Sequence, residues 1–168
     1  ELDQRLREKH ARAAQTSVKA AKECEDDYEH LSKLTRENPY VLNNGAFILR
    51  EAYGPHQGHS AWRRVLEAST RMYEAAAKIV DDTPYEAVDA APWGTRYAWA
   101  QITSDTGLMF QFYESTFDAV KAETYYLRAL KLSNDGYFDA WNNLHKLYLT
   151  QKEFQKAYDL AAKAAEGL

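Results

Sequence analysis

The clearest pattern of apolar and polar positions lies in the last thirty residues of the chain. Trp141, Leu144 and Tyr148 are three and four residues apart, so they share one face of a helix. A second apolar stripe follows at Phe154, Ala157, Ala161 and Ala164. Thr150, with Glu153 three residues later, is typical of a capping box and predicts the start of this second helix. Because the turn between the helices is short, they must lie antiparallel, and the pattern predicts a helical hairpin.

The order of large and small residues in this hairpin resembles the tetratricopeptide repeat (TPR), a pair of helices about 34 residues long. The residues that match the family pattern are Trp141, Leu144, Tyr148, Ala157 and Ala164. Two positions depart from it, since His145 stands where the family prefers Gly or Ala, and Ala161 where it prefers an aromatic residue. The resemblance implies an all-α fold in which antiparallel helix pairs stack into a right-handed superhelix, a TPR-like α-solenoid.

The same order of large and small residues predicts further repeats upstream. Two segments keep the spacing of the helix that contains Trp141, namely Leu42, Gly45, Ala46 and Leu49, and then Thr103, Thr106, Gly107 and Phe110. In both, the position of closest helix approach is small. We therefore predict a single TPR-like domain over 1–168, divided into a long N-terminal helix (1–37), a repeat (38–82), an insertion with a short helix (83–94), a repeat (95–133) and a last repeat (137–168).

Residues that favour helix starts occur at the predicted boundaries. Asn38 followed by Pro39 predicts a helix with Asn as its N-cap and Pro in its first turn. The segment Thr83-Pro84-Tyr85-Glu86 predicts a short helix in the same way. Ser115 and Asp118 resemble an N-cap and its acidic third residue, and predict the second helix of the 95–133 repeat.

The N-terminal segment 1–37 contains neither Gly nor Pro and is predicted to be one helix. Its second half has a clear apolar stripe at Cys24, Tyr28, Leu31 and Leu34. Cys24 is the only cysteine, so no intramolecular disulfide can form, and we expect a packed thiol. A lone reduced cysteine favours a reducing compartment such as the cytoplasm.

Composition and charge narrow the classes of partner. The net charge of −4 and the absence of a Lys/Arg cluster argue against nucleic acid. No apolar run approaches the ~20 residues of a membrane-spanning helix, so we expect no membrane insertion. The sequence begins at Glu1 without methionine, which leaves open a removed leader or a longer parent protein.

Few residues in the sequence suggest a catalytic or metal-binding site. His56 and His59, in the predicted loop GPHQGHS, form the only close histidine pair, and they could hold a metal if a third ligand came from elsewhere. No phosphate-binding glycine loop, nucleophile elbow or paired metal-ligand motif accompanies them. We therefore expect no enzyme activity and no cofactor, and a metal-dependent helical protein stays the less favoured alternative.

The resemblance to TPR proteins implies a protein–protein interaction module. In that family the first helices of the repeats line a concave groove that holds a partner peptide or helix. The corresponding residues here are Asn43, Asn44, Phe47, Arg50, Gln101, Asp105, Leu108, Gln111, Asn142, Asn143 and Lys146. Asn suits this task because its amide both donates and accepts hydrogen bonds. Asp105 stands where members that bind chaperone tails need a cation, so we expect a different ligand.

The alternative prediction is a structural subunit of a larger assembly, packed through its long N-terminal helix and its C-terminal face. Ala161, Ala165 and Leu168 leave an apolar face at the end of the last hairpin, which predicts either further repeats or contact with another subunit in a homo-oligomer or larger assembly. The tryptophans Trp62, Trp93 and Trp99 fit a second contact surface or buried packing.

Overall fold

A computed structural model describes residues 2–13, 18–53 and 60–166. Within these ranges all regular secondary structure is helical and no strand occurs, which confirms the prediction of an all-α protein. The helices are α1 (Leu2–Ala13), α2 (Val18–Leu34), α3 (Pro39–Tyr53), α4 (Ser60–Asp81), α5 (Tyr85–Asp89), α6 (Trp93–Phe112), α7 (Ala119–Leu132), α8 (Phe138–Thr150) and α9 (Phe154–Glu166), with a single 3₁₀ turn at Glu114–Thr116.

The chain divides into two compact units, Glu1–Asp82 and Thr83–Leu168. The first contains α1 to α4 and the second α5 to α9. The boundary coincides with the predicted end of the 38–82 repeat. The single domain over 1–168 stays a prediction.

In the first unit, small residues bring α3 into close contact with its neighbours. A Cβ atom on Gly45 would lie 2.6 Å from Cγ of Tyr28 and would also collide with the methyl group of Met72. Ser69 of α4 is fully buried and donates a hydrogen bond of 2.6 Å from Oγ to the carbonyl oxygen of Ala46. The predicted position of close approach, Ala46, is therefore confirmed, and its neighbour Gly45 also lies in close contact with α2 and α4.

The N-terminal segment differs from the single helix predicted over 1–37. Nζ of Lys9 and Nε2 of His10 each lie 2.7 Å from Oδ2 of Asp27. In one straight helix, residues 17 positions apart would be separated by about 25 Å. Because these side chains meet, α1 and α2 must lie side by side. Among residues 4–10 only His10 is buried, so this polar contact helps to anchor that part of α1, which also contacts α3.

The apolar stripe of α2 packs largely as predicted. Cys24, Tyr28 and Leu31 are buried, whereas Leu34 is 65% exposed because the helix ends there. The packed thiol is thus confirmed. Burial, together with the nearby carboxylate of Asp27, raises the pKa of Cys24 to about 12, so the thiol stays protonated and unreactive at neutral pH.

Two predicted helix starts have different capping residues in the structure. Asp118, not Ser115, caps α7 and accepts a hydrogen bond of 3.0 Å from the backbone N–H of Lys121. Thr150 belongs to the end of α8 and donates to the carbonyl oxygen of Leu147 at 2.8 Å, so the predicted capping box is wrong. In both cases the chain needs extra residues to turn before the next helix begins.

Two further starts follow the sequence more closely. Asn38 caps α3 as predicted, since its Oδ1 accepts from the backbone N–H of Tyr40 at 2.9 Å. The short helix α5 forms as predicted, but Pro84 and not Thr83 occupies its N-cap position and no side chain caps it, so the predicted capping by Thr83 is wrong. Pro92 occupies the same position before α6. Proline at a helix N-terminus costs little because the backbone N–H it lacks has no partner there.

The second unit is built from two hairpins, α6 with α7 and α8 with α9. Gly107 of α6 faces the ring of Tyr126 in α7, and a Cβ atom at this glycine would lie 2.8 Å from Cε1 of that ring. Leu144 and Leu147 of α8 pack into the same core. Large and small side chains therefore interlock across α6, α7 and α8.

Substitution of Gly107 tests this interlocking. We expect Gly107→Ala to lower the free energy of unfolding by about 1–3 kcal/mol, because the new methyl group overlaps a ring that cannot move freely. The matched control is Gly94→Ala in the same helix, where a Cβ atom meets nothing within 4 Å. Urea unfolding checks both variants, and equal losses would contradict the account.

The contact between α1 and α2 has its own test, with Cys24 as the reporter. Asp27→Asn weakens the bonds to Lys9 and His10, and we expect native-state labelling of the Cys24 thiol to become at least about fivefold faster. Asp26→Asn is the control, since Asp26 pairs only with Lys22 among the described ion pairs. Equal labelling rates in the two variants would show that α1 is anchored elsewhere.

Acidic pH should weaken the contact between α1 and α2, as Asp27→Asn does. The hydrogen bonds from Lys9 and His10 hold the pKa of Asp27 below its usual range. A carboxyl group with a lowered pKa stabilises the folded state above its unfolded pKa of about 3.9, and this contribution disappears as the pH falls through the folded value. The attachment of α1 should therefore be unaffected by Asp27 titration at neutral pH and weaken only in strong acid.

Candidate partner-binding surface

Gln111 fixes the first helix of one hairpin against the first helix of the next. Its Nε2 donates to the backbone carbonyl oxygen of Asn143 in α8 at 3.1 Å, and its Oε1 accepts from the hydroxyl of Tyr126 in α7 at 2.5 Å. Gln111 is only 9% exposed. One amide thus joins α6, α7 and α8. Gln111 was expected to face a partner, but both ends of its side chain are bonded inside the protein.

Tyr126 is held as a hydrogen-bond donor. Burial raises its pKa, and the nearby carboxylate of Asp105 raises it further. The phenol therefore keeps its proton across the physiological range and keeps bonding Gln111. Burial and then Asp105 also raise the pKa of Tyr137. Asp105 therefore lies close enough to these tyrosines to influence the interior of this unit.

The other predicted residues of the second unit are accessible to different extents. Gln101 of α6 and Asn142 and Lys146 of α8 are exposed. The half-buried residues are Asp105, Leu108 and Asn143. We call these six residues the α6/α8 face. Gln101, Asp105 and Leu108 are four and three residues apart, and Lys146 is four and three residues from Asn142 and Asn143, so each set shares one side of its helix. The Gln111 contact brings the two helices together.

The predicted residues of the first unit all lie on α3. Phe47 is 45% exposed, and the guanidinium of Arg50 lies 4.9 Å from the centroid of its ring. Asn43 and Asn44 are half-buried. Arg50 also approaches Glu51, with 3.6 Å between Nε and Oε1. This α3 surface combines one aromatic ring with a cation held over it.

The α6/α8 face has a balanced charge. Asp105 and Lys146 are its only ionisable residues, and the remaining polar groups are amides. A ligand recognised here would be bound by hydrogen bonds and apolar contact with Leu108, more than by a field of one sign. An isolated carboxylate would be repelled by Asp105, which agrees with the expectation that a chaperone tail is not the ligand.

The sequence did not predict a cavity of about 570 Å³ lined by residues of α7, α8 and α9. Trp141 and Tyr148 of α8 contribute to its lining. Lys163 lies 5.3 Å from the Trp141 ring and pairs with Asp135 at 2.9 Å. Trp141 was read as a core residue from its spacing alone. Its half-buried ring, with a lysine over it, could be recognised only once α9 was placed beside α8.

The predicted tryptophans divide between core and surface. Trp62 is buried, Trp99 is half-buried and Trp93 is 49% exposed. Trp93 packs closely against Gly136, where an added Cβ atom would lie 2.5 Å from Cη2 of the indole. Trp62 lies in the first unit, whereas Trp93 and Trp99 lie in the second, and buried packing accounts for Trp62.

His56 and His59 lie outside the described residues. Elsewhere in the described part of the chain, no group of three or more His, Cys, Asp or Glu side chains is arranged to hold a metal ion. None of the helices within that part combines the length and the apolar character needed to cross a bilayer.

Comparisons with known proteins returned no family model, no curated protein and no solved structure that matches the chain.

The role of Gln111 can be measured with a double-mutant cycle. We expect Tyr126→Phe and Gln111→Leu each to destabilise the protein by about 1–3 kcal/mol, because each leaves a buried polar atom without its partner. The double variant should lose about 1 kcal/mol less than the two single losses combined. Strict additivity in urea unfolding would mean that the two side chains are not coupled.

Proposed function

We propose that this chain is a TPR-like protein-interaction module that holds an extended or helical segment of a partner protein on the α6/α8 face. The observation that carries the proposal is the Gln111 hydrogen bond to Asn143, which aligns the first helices of two successive hairpins. Such alignment is what a binding groove along a stack of hairpins requires.

The contacts within each unit support a stacked arrangement. In the first unit, α1 contacts α3 and α2 contacts α4, in addition to the contacts between successive helices. In the second, α6 contacts α8, and α7 lies against both. First helices thus neighbour first helices in each unit. A right-handed solenoid built from such hairpins is the architecture we propose.

The chemistry of the face favours a peptide. Gln101, Asn142 and Asn143 can both donate to and accept from a peptide backbone, while Leu108 offers an apolar contact between the polar groups. Neither an activated nucleophile nor a general base is needed for such binding. We therefore propose binding without catalysis, with Gln111 as a supporting residue behind the face.

A peptide selection tests this function. Peptides selected from a random display library on the immobilised wild-type protein would be measured by fluorescence anisotropy against Gln101→Ala/Asn142→Ala. We expect about 10-fold or greater weakening for the double variant, since two hydrogen-bonding side chains are lost. Thr124→Ala, an exposed substitution on α7, is the control and should change nothing.

Two outcomes would contradict the proposal. One is a library that yields no specific peptide. The other is a set of peptides that bind wild type and Gln101→Ala/Asn142→Ala equally well, which would place the binding site on another surface.

A further inference from the structure

The last hairpin has an exposed apolar side that adjoins the α6/α8 face at Asn142. On α9, Phe154 is 64% exposed and Tyr158 is 71% exposed, and Ala161 and Ala165 are exposed as well. We call these four residues the α9 stripe. Their spacing of four, three and four residues is the spacing of a helix–helix interface. None of them carries a charge, and the charged residues of α9 lie off the stripe.

The positions of the α9 stripe are symmetric about its midpoint, whereas its side chains are large in one half and small in the other. Both aromatic residues lie in its first half and both alanines in its second half. Tyr158 and Ala161 lie equally far from a midpoint between positions 159 and 160, and so do Phe154 and Ala165. A second α9 helix placed antiparallel across a two-fold axis at this midpoint therefore sets each aromatic ring opposite an alanine.

A hollow lies at the alanine end of the stripe. Its volume is about 280 Å³, and Ala161, Ala164 and Ala165 line it together with Phe138 and Trp141 of α8. The hollow is suited to an apolar ring. The two rings that protrude from the other end of the same stripe would enter this hollow in a two-fold partner, as a self-complementary interface requires.

From this complementarity we propose that the α8/α9 side forms a homodimer interface, in which two copies of the chain pair through antiparallel α9 helices. The face is about 20 Å long, since α9 has 13 residues. Two helices side by side make it roughly 20 Å wide. The face therefore covers roughly 400 Å², about half of what each partner buries in a standard interface, so we expect a weak, reversible dimer. Phe138, 70% exposed, extends the contact onto α8.

The first experiment measures the dimer dissociation constant of the full chain by sedimentation equilibrium. Ala161→Glu places a carboxylate in the stripe opposite Tyr158 of the partner, and we expect about 100-fold weaker dimerisation or more. Ala87→Glu is the matched control, because it makes the same chemical change at an exposed position on α5. Ala161 is itself exposed, so its substitution should not disturb folding.

Three results decide the outcome of this experiment. A dimer that is weakened by Ala161→Glu and unaffected by Ala87→Glu supports the proposal. A wild-type protein that remains monomeric at about 1 mM overturns the proposal and would indicate that the α9 stripe contacts a different partner. A dimer that Ala161→Glu leaves intact also overturns it, since the contact must then lie elsewhere.

The second experiment tests the antiparallel orientation. Phe154→Cys and Ala165→Cys proteins would be purified separately, mixed and mildly oxidised, while Cys24 stays buried and unreactive. We expect a disulfide between the two variants and little cross-linking in Ala165→Cys alone. Efficient cross-linking of Ala165→Cys to itself would indicate parallel helices and overturn the two-fold pairing.

Discussion

Close approach of neighbouring helices at side chains of minimal size is the constraint on which both units depend. At Gly45 and at Gly107 there is no room for a methyl group, because a tyrosine side chain from a neighbouring helix occupies the space. A buried hydroxyl, that of Ser69, bonds directly to the backbone of the facing helix at Ala46. Such proximity fixes the rotation of each helix about its axis, since only one face carries the small residue. The rotation of each helix also determines which of its sides faces outward.

The second unit adds a polar constraint to this packing. The amide of Gln111 connects a tyrosine hydroxyl on α7 to a backbone carbonyl on α8, and each of these groups would be costly to bury alone. This hydrogen bond fixes how far α6 is displaced along its axis relative to α8. Apolar contact alone would determine that displacement less precisely. The alignment of Gln101 with Asn142 and Lys146 follows from that displacement. Interior hydrogen bonding and the proposed surface are thus parts of one arrangement.

The sequence predicted the helical class and the small contact positions because both depend on local spacing. Ala46 and Gly107 could be assigned from their intervals to large residues alone. The side-by-side packing of α1 and α2 could not, since residues 1–37 contain no Gly or Pro and the contact depends on His10 meeting Asp27 in space. Gln111 was placed on the surface because helical periodicity gives its direction but not its neighbour. The prediction that Thr150 caps α9 was wrong for a related reason. Its hydroxyl donates to the carbonyl oxygen of Leu147 within α8.

The central claim is that Gln111 joins α6 to α8 and so creates the face on which a partner would bind. The most direct measurement is the NMR of the Gln111 side-chain amide in the intact chain. The account predicts slowly exchanging amide protons with nuclear Overhauser contacts to Asn143 and its neighbours in α8. Rapid exchange with solvent, and contacts confined to α6, would contradict it.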